Sequence, residues 1–152
     1  MPSSDLLFPD TEDGLRALPG IGPYTAAAVA AIAFGRKASP VDGNIERVIA
    51  RLFAVTEPLP GAKAELRRLA EGLTPEHHAG DHAQALMDLG ATICLPRAPL
   101  CPRCPLAEAC MGRAGGIAAS LPQRPANAAR PTRHRVAFCS SDARRVGHAC
   151  NS

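Results

Sequence analysis

Leu18-Pro19-Gly20-Ile21-Gly22-Pro23-Tyr24-Thr25-Ala26 lies between two runs that read as helices. Before it, Asp10 to Leu18 suits a short helix, with Asp10 or Thr11 as N-cap and Glu12 and Asp13 in the first turn. Pro19-Gly20-Ile21-Gly22-Pro23 breaks that helix. Pro23 fits the first turn of a second one, which runs to about Phe34 and is closed by Gly35. Two glycines two residues apart let the backbone turn tightly with its N–H groups pointing outward. At a helix N-terminus those donors and the helix dipole suit a phosphate. The same residues also fit a plain helix–helix connection in which glycine serves only the backbone geometry.

Outward from this turn the chain reads as all-α. The second helix is Ala-rich and nearly uncharged, so burial on most sides is expected. A loop with Pro40-Val41-Asp42-Gly43-Asn44 follows, where Asp42 is a natural N-cap for the next helix. Ile45 to Val55 places Ile45, Val48, Ile49, Leu52 and Phe53 at helical spacing. Ala62 to Leu73 and Asp81 to Ile93 are two more amphipathic helices, the latter with Ala85, Leu86, Leu89 and Ile93 inward. His77, His78 and His82 lie around a helix start and read as solvated. Gly112 to Pro131 is rich in Gly, Ala, Pro and Arg and reads as a linker. No strand of useful length precedes Arg135, where Arg135-Val136-Ala137-Phe138 could begin one.

Cys94, Cys101, Cys104 and Cys110 stand in a C-x6-C-x2-C-x5-C run. Thiolates are soft ligands, and four from one short loop suit a [4Fe–4S] cluster or zinc. Zinc ribbons usually bring two close pairs, whereas here only Cys101 and Cys104 are close. A disulfide framework needs an oxidising compartment, which nothing here suggests. Cys139 and Cys150 sit apart and read as free thiols in a tail.

Composition fits one modest domain: 152 residues, 46% hydrophobic, no Trp and one Tyr. The longest apolar stretch, Tyr24 to Phe34, is too short to span a bilayer. With no basic n-region at Met1 to Asp5, a cytoplasmic protein is expected. Residues 1–110 carry ten Lys and Arg against thirteen Asp and Glu, and residues 111–152 carry seven Arg against one Asp. The basic character therefore sits in the last part, where arginines could meet phosphates or simply be solvated.

Together these stretches resemble the endonuclease III superfamily of DNA glycosylases. Leu18 to Ala26 is similar to its helix-hairpin-helix, Val41-Asp42-Gly43-Asn44 to its catalytic loop, and Gln84 to Cys94 to the approach to its cluster loop. The cysteine spacing matches its [4Fe–4S] motif in all three intervals. Where strand-cleaving members carry a Schiff-base lysine, this chain has Tyr24. With Met87-Asp88-Leu89-Gly90, that makes the likeness one to the monofunctional adenine glycosylases, a nucleoid-associated group if bacterial.

The resemblance implies a helix-hairpin-helix glycosylase half-domain over residues 1–93, a cluster loop over 94–110, a Pro/Arg-rich linker over 111–135 and a remnant or aberrant tail over 136–152. Asp42 would stabilise an oxocarbenium-like sugar, with Tyr24 and Asn44 in the pocket. Leu18, Pro19, Gly20, Ile21, Gly22, Thr25, Arg97 and Arg103 would meet DNA, and the hairpin would admit a monovalent cation. The implied partner is duplex DNA with adenine opposite guanine or 8-oxoguanine, with no membrane and a monomeric protein. The family's general-acid glutamate precedes the hairpin, and Glu12, Glu46 and Glu57 do not lie in its context. The expectation is therefore a chain that either excises adenine together with a missing N-terminal half or acts as a noncatalytic iron–sulfur DNA-binding fragment.

Overall fold

A computed structural model of the chain describes residues 8–125. Among these residues there are helices and short 3₁₀ turns but no strand, so the all-α expectation holds. The tail from residue 136, the strand suggested at Arg135, and Cys139 and Cys150 lie outside the described residues.

Helix α1 spans Glu12–Arg16 and is capped by Thr11, whose Oγ1 accepts the Gly14 N–H at 3.2 Å. The turn that follows depends on Gly20, whose φ of +82 is a backbone conformation that side chains with a Cβ seldom adopt. The Ile21 N–H closes the turn on the Leu18 carbonyl at 3.2 Å. Helix α2 (Pro23–Ile32) starts with proline in its first turn, after Gly22 in extended geometry. It stops where Gly35 takes a φ of +62 and the Arg36 N–H reaches back to the Ala30 carbonyl at 2.9 Å.

Burial of α2 is narrower than its composition suggests. Ala26, Ala27, Ala30 and Ala31 form one buried stripe with Leu15 of α1, while Tyr24 and Ile32 are exposed. Alanine counts as apolar but covers little surface, so an Ala-rich helix does not need cover on every side.

Helix α3 (Gly43–Leu52) is the central element, touching α4 (Lys63–Leu73), α5 (Ala79–Thr92) and α6 (Met111–Ala114). Ile45, Val48 and Ile49 pack with Leu66 and Ala70 of α4 and with Leu86 and Leu89 of α5. Helix α5 joins two cores: its first residue, Ala79, lies in the hairpin cluster, and Leu86 and Leu89 lie in the α3 cluster. Its Ala85, expected inward, is exposed, and His82, expected solvated, is half-buried.

The stretch from Gly112 that reads as a linker packs on this body over its first part. Gly112, Ala118 and Leu121 are buried, and the Leu59 N–H donates to the Gln123 carbonyl at 2.9 Å. Glycine at 112 belongs to a close helix approach, since a Cβ there would lie 2.6 Å from the Arg51 carbonyl oxygen.

Candidate active site and metal centre

Asp42 caps α3. Its Oδ1 accepts the N–H groups of Asn44 and Ile45 at 3.0 and 2.8 Å, and its Oδ2 accepts the Asn44 amide at 3.2 Å. The N-cap reading of Asp42 is thus correct, and Oδ2 still has a lone pair to face a developing positive charge. Asn44 is held in turn by Arg47, whose Nη2 donates to its Oδ1 at 2.8 Å. Arg47 also donates to the carbonyls of Gly43 at 3.2 Å, Gly90 at 2.6 Å and Cys94 at 2.7 Å. One guanidinium therefore ties the Asp42 loop, α5 and the start of the cysteine loop together. Burial lowers the Arg47 pKa, Arg51 and Arg124 push it the same way, and Cys94 and Asp42 oppose them.

Tyr24 is 44% exposed at the start of α2, and its hydroxyl donates to Met87 Sδ on α5 at 3.5 Å. It shares a cavity of about 50 Å³ with Val41, Glu12 and Glu71. Neither glutamate hydrogen-bonds to Asp42 or Asn44. In the hairpin, Leu18 and Ile21 pack inward on the α1–α2 core, while Pro19, Gly20, Gly22 and Thr25 are exposed. The outward edge of the turn is therefore open to a ligand.

Cys94, Cys101, Cys104 and Cys110 line one cavity of about 30 Å³, together with Arg51 and Arg113. All four are half-buried free thiols. Burial pushes the Cys104 thiol up, the Leu106 N–H opposes this, and the other three cysteines raise it further. Among the described residues, no three His, Cys, Asp or Glu side chains converge closely enough to hold a single ion. Four thiols lining one cavity are a donor set that fits an iron–sulfur core, in which each thiolate holds its own iron.

Arg97 and Arg103 are both exposed and do not line the same cavity. Arg97 shares a cavity of about 490 Å³ with Arg47, Arg124, Pro96, Leu121 and Pro122, and Arg103 lies elsewhere, on a 3₁₀ turn. Sequence reasoning missed Arg47 and Arg51. No sequence signal marks them: they stand one turn apart on α3, where long charged side chains are normally assumed to face water.

The helix-hairpin-helix motif model matches residues 3–32. The adenine DNA glycosylase of Homo sapiens is 44% identical over 109 residues, covering 70% of this chain and 20% of the relative. Two solved structures share the fold. A thermostable thymine-DNA glycosylase aligns with a TM-score of 0.64 at 41% identity, over 70% of this chain and 50% of that one. A non-covalent endonuclease III–DNA complex aligns with a TM-score of 0.57 at 29% identity, over 72% and 50%. The chain thus spans a fifth of the human relative and half of each solved one. In sequence and in fold, over about 70% of its length, it is similar to the endonuclease III-like helix-hairpin-helix DNA glycosylases, the adenine DNA glycosylases among them.

Proposed function

We propose that the chain carries the hairpin, catalytic loop and cluster loop of a monofunctional adenine DNA glycosylase of base excision repair. Such an enzyme hydrolyses the N-glycosidic bond of adenine opposite guanine or 8-oxoguanine. The observation that carries this reading is the Asp42–Asn44 pair at the start of α3, whose preceding residue Val41 shares a cavity with Tyr24 and with no lysine. The chain has only two lysines, Lys37 and Lys63, and these pair with Glu76 and Glu46. This supports a route that does not run through a lysine Schiff base.

Excision requires the adenine to leave the stack and enter a pocket. As the bond to the base lengthens, positive charge develops on the deoxyribose, and the Asp42 carboxylate stabilises it by charge and short range. Asn44, held by Arg47, keeps that carboxylate oriented. Exposed backbone at Pro19 to Gly22 and the cationic cavity of Arg97 and Arg124 suit the phosphates of a bound duplex. Cys94, Cys101, Cys104 and Cys110 would hold a [4Fe–4S] cluster, which would cross-link the loop that carries Arg97 and Arg103.

A second reading is a noncatalytic DNA-binding part. It is favoured by the lack of any glutamate hydrogen-bonded to the Asp42–Asn44 pair among the described residues. Single-turnover release of adenine from a duplex with A opposite 8-oxoguanine separates the two. Release by cluster-loaded protein that vanishes in Asp42→Asn supports the glycosylase. Tight duplex binding with no release, from protein whose iron content shows a full cluster, supports the second reading.

A further inference from the structure

The geometry points to Arg51 as the counter-charge of the cysteine cage: its guanidinium both positions the loop and raises the reduction potential of the iron–sulfur cluster held there. This rests on the cluster reading above.

Arg51 lies in the last turn of α3 and is 1% exposed. Its Nε donates to the Leu121 carbonyl at 2.9 Å, its Nη1 to the Leu95 carbonyl at 2.7 Å, and its Nη2 to the Pro96 carbonyl at 2.9 Å. These bonds fasten the start of the cysteine segment, at Leu95 and Pro96, and the later stretch at Leu121 to α3. They satisfy hydrogen-bonding capacity, but neutral carbonyls do not cancel a buried charge. Among the described residues no Asp or Glu lies within ion-pair distance of Arg51. What does lie there is sulfur: Nη1 also donates to Cys94 Sγ at 3.2 Å, and the Arg51 side chain lines the cavity of all four thiols. The main chain adds a further tie, since the Arg51 carbonyl accepts from Cys110 Sγ at 3.3 Å.

A guanidinium so placed favours whichever state of the cage carries more negative charge. It therefore stabilises the deprotonated, iron-bound thiolates over free thiols. When one electron is added to the bound cluster, it stabilises the reduced form over the oxidised one. A role in loop packing alone would predict the first effect and not the second.

The full chain is reconstituted with iron and sulfide, and iron content and visible absorption are read first. Wild type that takes up no cluster sinks the underlying cluster reading and this proposal with it, whereas a loaded wild type leaves only the role of Arg51 at stake. In loaded protein, the potential is measured by voltammetry, with the electron supplied by the electrode, for wild type, Arg51→Lys and Arg51→Gln. The expected pattern is a lower potential in Arg51→Gln, a potential close to wild type in Arg51→Lys, and about 10–100-fold weaker cluster retention in both. An unchanged potential in fully loaded Arg51→Gln overturns the proposal. Should neither variant load, pulsed paramagnetic resonance of reduced, ¹⁵N-arginine-labelled protein decides. This is done in an Arg113→Lys background, because Arg113 also lines the cavity. A coupled guanidinium nitrogen supports the proposal, and its absence overturns it.

Discussion

Asp42 does two jobs with separable chemistry, and a pair of substitutions tells them apart. Asparagine caps helices about as well as aspartate, so Asp42→Asn should shift stability by less than about 0.5 kcal/mol, whereas Asp42→Ala should cost about 0.5–2 kcal/mol. Urea unfolding of both variants checks this. Equal losses would mean that the carboxylate charge, rather than its acceptor oxygen, holds α3. Arg47 offers a sharper case. Arg47→Leu strands the carbonyls of Gly90 and Cys94, each a desolvated acceptor worth about 1–3 kcal/mol, so a total loss above about 2 kcal/mol is expected from the unfolding midpoint. The cap at Asp42 and the cysteine spacing were legible in the sequence because both are local patterns. Arg47 and Arg51 were not, because their partners at Gly90, Cys94 and Leu121 lie 43 to 70 residues away. Nothing in a helix sequence distinguishes an arginine that faces water from one that holds distant carbonyls.

Helix packing sets the next scale, and two glycines make opposite predictions there. A Cβ at Gly90 of α5 would lie 2.7 Å from Asn44 Cβ and 3.0 Å from the Asn44 carbonyl oxygen. Gly90→Ala should therefore destabilise by about 1–3 kcal/mol despite alanine's better helix propensity, and should displace Asn44 from Asp42. A Cβ at Gly72 of α4 meets nothing within 4 Å, so Gly72→Ala should stabilise by about 0.5–1 kcal/mol. Differential scanning calorimetry reads both, and a stabilised Gly90→Ala would show that α5 does not press on the Asp42 loop. At this scale the sequence was informative about helix existence. Pro23, Gly35, Asp42 and the apolar spacing of Ile45, Val48 and Ile49 marked α2 and α3 to within a few residues. It misled from Gly112 onward, because glycine and alanine there signal close packing on Arg51 as readily as they signal a linker.

Across the whole molecule, charge and burial are divided between faces, and pH and salt test that division. His82 borders a large apolar groove with Leu86 and Leu106, and its buried Nε2 has no partner among the described residues. Burial lowers its pKa, so as pH falls below about 6.5 the unfolded chain takes up the proton first and stability drops. That loss should be smaller in His82→Leu when melting is compared at about pH 7.5 and 5.5. On the cationic side, Arg97 and Arg124 face the cavity that Arg47 closes from within, and Pro96, Leu121 and Pro122 give it apolar walls. Neither Arg97 nor Arg124 has a carboxylate partner among the described residues, so their charge is available to a phosphate. If each meets one backbone phosphate of a duplex, each alanine substitution should lower the slope of log affinity against log salt by about 0.9. The loss should be the same for matched and mismatched duplexes, since phosphate contacts position a protein without reading sequence. Fluorescence anisotropy titrations at several salt concentrations measure both quantities. A weaker affinity with an unchanged slope would mean that the two arginines shape the cysteine loop rather than touch the backbone. An effect confined to the mismatched duplex would place them at the base instead.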